Sequence, residues 1–174
     1  MTEIAVGDRT TTMTTDLRYH RRLASETLRA WNIPPPWNYG VADRVRFGEL
    51  DALGHVSNVA YLRWFEAFRV HYLRDYGITT YGADGPRMVL RQVQVDYLAE
   101  MQLSEDYIVT GRTDSVRSTS CQMHYAVWSG NLRATGSAVL VFLDQSGQKT
   151  KIPPDFRETV LARDTATDLA SAPA

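Results

Sequence analysis

From residue 58 to 76 the apolar side chains of Tyr61, Leu62, Trp64, Phe65, Phe68, Tyr72 and Leu73 recur at helical spacing around much of the circumference, and Gly77 follows as a stop. The pattern predicts one long helix, apolar over enough of its surface to lie largely buried. Before it, residues 42–50 alternate loosely as a first strand. After it, four segments read as strands, at 87–98, 107–113, 119–128 and 134–143. In the third, Cys121, Met123, Tyr125 and Val127 fall on one face while Gln122 and His124 fall on the other. Residues 139–143 are apolar on both faces and suit a central strand. One long buried helix with about five strands implies an α+β fold, an antiparallel sheet wrapped around the helix.

The ends read differently. Residues 1–15 are polar and Thr-rich, offer little apolar surface to offset ordering entropy, and are expected to be disordered. Leu17, His20, Leu23, Thr27 or Leu28, and Trp31 recur at helical spacing, and Asp16 is placed to cap them, so a short helix is predicted over 16–31. Pro34, Pro35 and Pro36 end it in an extended segment. Residues 1–40 thus form an N-terminal extension and 41–165 the main domain; 153–163 predict a short terminal helix, and the Ala-rich tail 166–174 is expected to be disordered.

Composition narrows the function. Hydrophobic residues make up 44% of the 174 and charged residues 22%, the balance of one globular domain with a sizeable core. Nineteen Lys and Arg against 20 Asp and Glu leave a net charge of −1, which removes the electrostatic reason to seek nucleic acid or an anionic membrane. Cys121 is the single cysteine, so an internal disulfide and a cysteine-rich zinc site are excluded and a reducing, cytoplasmic setting is expected. No apolar run approaches the roughly 20 residues that span a bilayer.

The chemistry concentrates between residues 51 and 69. Asp51, Gly54 and His55 fall on a turn directly before the predicted helix. A helix start leaves backbone N–H groups unpaired and carries partial positive charge, so it can hold an oxygen that becomes negative during reaction. The same residues also read as a plain strand-to-helix turn, with Gly54 at positive φ, Asp51 bonded to its own loop and Ser57 or Asn58 as the cap.

The order Asp51, Gly54, His55, Val56, Asn58, Tyr61, followed by Glu66 and Arg69, resembles the Asp-x-x-Gly-His-Val-x-Asn-x-x-Tyr signature and trailing Glu-x-x-Arg of the 4-hydroxybenzoyl-CoA thioesterase-like branch of hotdog-fold proteins. The similarity runs from about residue 43 to 154. It implies a hotdog fold and an acyl-CoA thioesterase. Asp51 would then be the nucleophile or general base on the thioester carbonyl, His55 an assisting group, and the Asn58 main-chain amide the oxyanion donor, with Gly54, Val56, Tyr61 and Glu66 about the substrate. Leu53 departs from the Asn that some related plant acyl-carrier-protein thioesterases carry two residues after the acid. The resemblance further implies a homodimer or homotetramer with sites at the seam. An acyl-CoA or acyl carrier protein thioester is the substrate, and the lack of a clear basic patch favours CoA. A non-hydrolytic acyl-thioester-binding protein is the main alternative; hotdog hydratases place their acid and histidine in a different loop context.

Other constellations carry less. Glu66 and Arg69, three apart on the helix, read as a structural ion pair; one hotdog branch places its catalytic carboxylate on this helix, which keeps Glu66 as a second candidate acid. Tyr61, Trp64 and Phe65 read as core residues that can also wall an acyl pocket. Cys121 and His124 point to opposite faces of a strand and form no dyad. Ser57 lacks a nucleophile elbow. The four histidines show no metal spacing and no phosphate loop is present, so no metal or cofactor is expected.

Overall fold

The computed structural model describes residues 17–78 and 85–170. In chain order the elements are β1 (Arg22–Leu23), α1 (Ser25–Ala30), β2 (Gly40–Arg44), α2 (Asn58–Asp75), β3 (Arg87–Tyr97), β4 (Asp106–Val116), β5 (Ser120–Ser129), β6 (Asn131–Leu143), α3 (Pro154–Asp164) and β7 (Thr167–Asp168). The central helix α2 begins at Ser57, whose side chain accepts from Val59 N–H at 3.4 Å. It closes through the Gly77 N–H on Arg74 O at 3.2 Å and the Ile78 N–H on Leu73 O at 2.8 Å, which satisfy the last carbonyls.

Helix α2 buries one face, with Tyr61, Trp64, Phe65, Phe68, Tyr72 and Leu73 packed on the concave side of the sheet. Two strand positions make that approach possible. A side chain at Gly136 would come within 2.6 Å of the Phe65 ring, and one at Gly111 within 2.5 Å of the Phe68 ring. Truncating either ring to alanine removes contacts worth about 3–5 kcal/mol. Burial is less complete than the apolar pattern predicts, because Val59, Leu62, Glu66 and Ala67 face outward on the open side.

The sheet runs in the order β1-β2-β4-β5-β6-β3, antiparallel throughout, and β7 adds a parallel pair to β4 at Ser115 and Val116. It has seven strands and not about five. The two extra strands are two residues long, too short to carry a period-2 pattern. Strand β6 lies between β5 and β3, in agreement with its two apolar faces, while β3 forms an edge.

The N-terminal segment differs from its prediction. Among residues 17–31 only Ser25–Ala30 is helical; Arg22 and Leu23 pair with β2, and Tyr19 bridges Ala42. The apolar spacing is satisfied by the sheet. Leu23, Leu28 and Ile33, with Trp31 and Trp37, cover Ala42 and Ile108 on the outer face of β2 and β4. Sheet packing overrides weak local helix propensity here. The expectations for residues 1–15 and the Asp16 cap lie outside the described residues.

At the other end, α3 forms as predicted within a residue and carries Asp164 into the interior. Its carboxylate accepts from the Tyr72 hydroxyl, from the Tyr76 hydroxyl at 2.7 Å and from Thr113 N–H at 2.7 Å, which joins α3 to α2 and β4. Burial pushes this carboxyl above the usual aspartate value, and the bonds from Tyr72, Tyr76 and Thr113 oppose the shift. Residues 167–169, expected to belong to a disordered tail, are tied to the sheet: β7 pairs with β4, and Leu169 N–H donates to Val116 O at 2.7 Å. Residues 171–174 lie outside the described residues.

Candidate active site

The loop between the Phe47–Glu49 turn and α2 is a tight hairpin built by Asp51. Its main-chain N–H donates to His55 O at 2.8 Å and its carbonyl accepts from Gly54 N–H at 3.1 Å. The side-chain Oδ1 accepts from Leu53 N–H at 2.8 Å and His55 N–H at 3.3 Å. Gly54 sits at φ 80°, in the left-handed region where a side chain is strained, so the turn requires it. Part of the plain-turn reading therefore holds. Asp51 does organise its own loop, yet its Oδ2 makes no hydrogen bond among the described residues.

Two further ties fix the loop against the fold. Val56 N–H donates to Met101 O at 2.8 Å and Ser57 N–H to Glu49 O at 2.8 Å. The Glu49 carboxylate accepts from the Trp64 indole at 2.7 Å, which locks the loop to the buried face of α2. Trp64 is thus a core residue with a polar handle, and its ring stacks on Tyr107 with centroids 4.0 Å apart.

Asp51, His55, Val56, Asn58 and Tyr61 line one open cleft of about 580 Å³. Its other wall, Tyr97, Leu98, Ala99 and Glu100, follows the end of β3. Asn58 is the first residue of α2, and its N–H has no acceptor among the described residues. The cleft therefore holds a free carboxylate oxygen and a free helix-start N–H, the two elements acyl transfer requires. Burial pushes the Tyr61 hydroxyl up to about 12, so it stays a neutral phenol at physiological pH.

The remaining predicted residues stand elsewhere. Gly54 shapes the turn without lining the cleft. Glu66 opens on a separate recess of about 300 Å³ with Arg69, Arg87 and Leu90. The ion pair predicted between Glu66 and Arg69 is absent among the described residues: Arg69 instead donates to the Tyr125 hydroxyl at 3.4 Å and lies over its ring. Helical spacing brought the two residues near, but the inward phenol was the better-placed partner.

His55 holds the largest surprise. Its ring does not meet the Asp51 carboxylate; Nε2 lies 3.3 Å from Glu100 Oε2. Neither Tyr97 nor Glu100 was visible as a site residue, since their segment reads simply as the end of a strand. An acid two residues after the Tyr97-Leu98 pair was the one available signal. Among the described residues no group of three or more His, Cys, Asp or Glu side chains converges as a metal site, and no helix is long and apolar enough to cross a membrane.

The thioesterase-like superfamily model matches residues 45–160. The chain is 30% identical to the YsmA protein of Bacillus subtilis over 122 residues, 67% of this chain and 81% of that one. A thioesterase-superfamily structure from Jannaschia sp. CCS1 is 47% identical, with a TM-score of 0.83 over 88% of this chain and 98% of the other. A thioesterase of Thermus thermophilus, solved with coenzyme A and zinc, is 31% identical, with a TM-score of 0.65 over 72% of this chain and 93% of that chain. The sheet wrapped on α2 is accordingly the hotdog fold, and the match reaches from the start of the Asp51 loop into α3. The chain belongs to the thioesterase-like superfamily.

Proposed function

We propose that this protein is an acyl-CoA thioesterase of the 4-hydroxybenzoyl-CoA thioesterase-like branch. It hydrolyses an acyl thioester to the free acid and CoA in the cleft between the Asp51 loop and the end of β3. The observation that carries this reading is the pairing, in one cleft, of the unengaged Asp51 Oδ2 with the unengaged Asn58 N–H. Asp51 serves as general base toward water or as nucleophile on the carbonyl. The Asn58 N–H, reinforced by the dipole of an 18-residue helix, holds the oxyanion. Val56 and Tyr61 contact the acyl-thioester chain. The CoA complex of the Thermus relative supports CoA over acyl carrier protein as the carrier, and a cytoplasmic site of action agrees with the single buried, free cysteine.

The working unit is a homodimer. Strand β3 is an edge, and its cleft end carries Tyr97 and Leu98 at 48% and 56% exposure beside Val59 and Leu62 at 51% and 37% on the open side of α2. A long edge with a free side favours pairing with another strand, and a second β3 is self-complementary to it. The direct test is a hydrolysis screen over aliphatic and aromatic acyl-CoAs, with acyl carrier protein thioesters as a second arm. Turnover of at least one acyl-CoA supports the reading. Binding without turnover across the panel overturns it in favour of a non-hydrolytic acyl-thioester-binding protein.

A further inference from the structure

The geometry points to Glu100 as a positioning residue that sets the His55 ring to deliver a proton to the departing sulfur; this rests on the proposed thioesterase reading. In acid–histidine sites a carboxylate at one ring nitrogen orients the imidazole. Here Asp51 does not, because its Oδ1 is spent on the Leu53 and His55 main-chain N–H groups and, among the described residues, its carboxylate forms no hydrogen bond or ion pair with the imidazole. The His55 ring meets Glu100, 45 positions further along the chain, with Nε2 and Oε2 3.3 Å apart. Both residues line the same cleft as Asp51 and Asn58.

Their relative placement is held by the backbone. His55 bridges Gln102 in antiparallel pairing, and Val56 N–H donates to Met101 O at 2.8 Å. On the far side, Arg133 donates to the Glu100 main-chain carbonyl at 3.2 Å, and Leu98 N–H and Ala99 N–H both donate to Arg133 O. The two Cα positions are thus fixed by bonds that do not involve the ion pair. The Glu100 side chain is 62% exposed, so the pair adds little to stability. A fixed geometry with little energetic return suits a role in chemistry better than one in folding.

The pair assigns the proton. With Glu100 Oε2 3.3 Å away, its negative charge favours a proton on Nε2, which leaves Nδ1 as the nitrogen that gains and gives a proton. As water adds, its oxygen bonds to the acyl carbon and one proton passes to Asp51. On collapse of the intermediate the carbon–sulfur bond breaks, the electron pair leaves with sulfur, and the sulfur takes the proton from Nδ1 of the His55 imidazolium. Asp51 returns its proton to solvent and His55 takes one up, so the net change is thioester and water to acid and thiol.

A leaving-group comparison tests this, because an aryl thiolate departs without protonation and an alkyl thiolate such as that of CoA is helped by it. For one acyl group, kcat is measured on the CoA thioester and on the thiophenyl ester for wild type, His55→Gln, Glu100→Gln and Glu100→Asp, with the thermal midpoint of each. His55→Gln is expected to lower kcat on acyl-CoA on the order of a hundredfold, and Glu100→Gln on the order of tenfold, as expected for losing the close charge that orients the ring. Glu100→Asp recovers most of that loss. On the thiophenyl ester the loss is markedly smaller for each variant, as expected where no proton is needed, with the thermal midpoint unchanged. An equal loss on both esters, or none, with Glu100→Gln overturns the assignment. Ring ¹⁵N spectra decide the pairing without any turnover: His55 carries its proton on Nε2 in wild type and loses that preference in Glu100→Gln, and a wild-type Nδ1–H tautomer contradicts the proposal. A wild type inactive on every thioester overturns the thioesterase reading itself, a failure distinct from a wrong tautomer.

Discussion

The Tyr97 hydroxyl donates to the main-chain carbonyl of Asn58 at 3.0 Å, tying the end of edge strand β3 to the first turn of α2, where the oxyanion is assigned. The bond holds the peptide that follows the donor N–H and engages the carbonyl, not that N–H. Asn58→Ala therefore has a mild effect on turnover. Asn58→Pro removes the N–H but suits the first helical position, and Ser57 before it already has φ −60° and ψ 140°. The proline variant is expected to fold and to lose on the order of 10²–10³ in kcat. Equal rates for the two folded variants, compared by kcat and thermal midpoint, contradict the Asn58 assignment.

The proposed dimer places a second copy against the edge of β3 and the open side of α2. Light scattering at micromolar concentration is expected to give the mass of a dimer, and Leu62→Asp combined with Leu98→Asp to shift it toward monomer with loss of activity. A wild type that is monomeric and fully active contradicts a shared site.

Asp164 anchors α3 through buried hydroxyls. Asp164→Ala leaves Tyr72 and Tyr76 without their acceptor in the interior, which costs about 2–4 kcal/mol. Urea unfolding measures this directly, and a loss under about 1 kcal/mol means the hydroxyls find other partners.

Asp106 joins the N-terminal segment to the sheet. It accepts from Arg44 Nε at 2.6 Å and from the Tyr19 hydroxyl at 2.6 Å, and the Arg44 bond holds its carboxyl below the usual value. A depressed carboxyl stabilises the fold above its unfolded value and loses that contribution as pH falls through the lower folded value. The window lies below the ordinary 3.8. The difference in thermal midpoint between wild type and Asp106→Asn is thus expected to be full at neutral pH and to shrink in acid; a pH-independent difference contradicts the linkage.

What the sequence disclosed follows from range. Helix α2 was legible because its cap at Ser57, its apolar spacing and its stop at Gly77 are all local, and β5 because Cys121 to Val127 alternate cleanly. The turn at Asp51 and Gly54 was legible for the same reason. Segment 17–31 was not, because Leu23 and Leu28 answer to Ala42 and Ile108 on the outer sheet face, and helical spacing does not report that. Half of the cleft was hidden likewise: Tyr97 and Glu100 reach Asn58 and His55 across roughly forty residues of chain, through an antiparallel bridge that no periodicity encodes.

The central claim is that Asp51 performs the chemistry through its free carboxylate oxygen. Asp51→Asn keeps an oxygen for the Leu53 and His55 N–H groups, so the hairpin and the thermal midpoint are expected to hold. The measurement is kcat for hydrolysis of the best acyl-CoA by wild type and Asp51→Asn. The account predicts a fall of at least about a hundredfold in the folded variant, with Glu66→Gln close to wild type. Near-wild-type turnover by Asp51→Asn, or a collapse confined to Glu66→Gln, contradicts it.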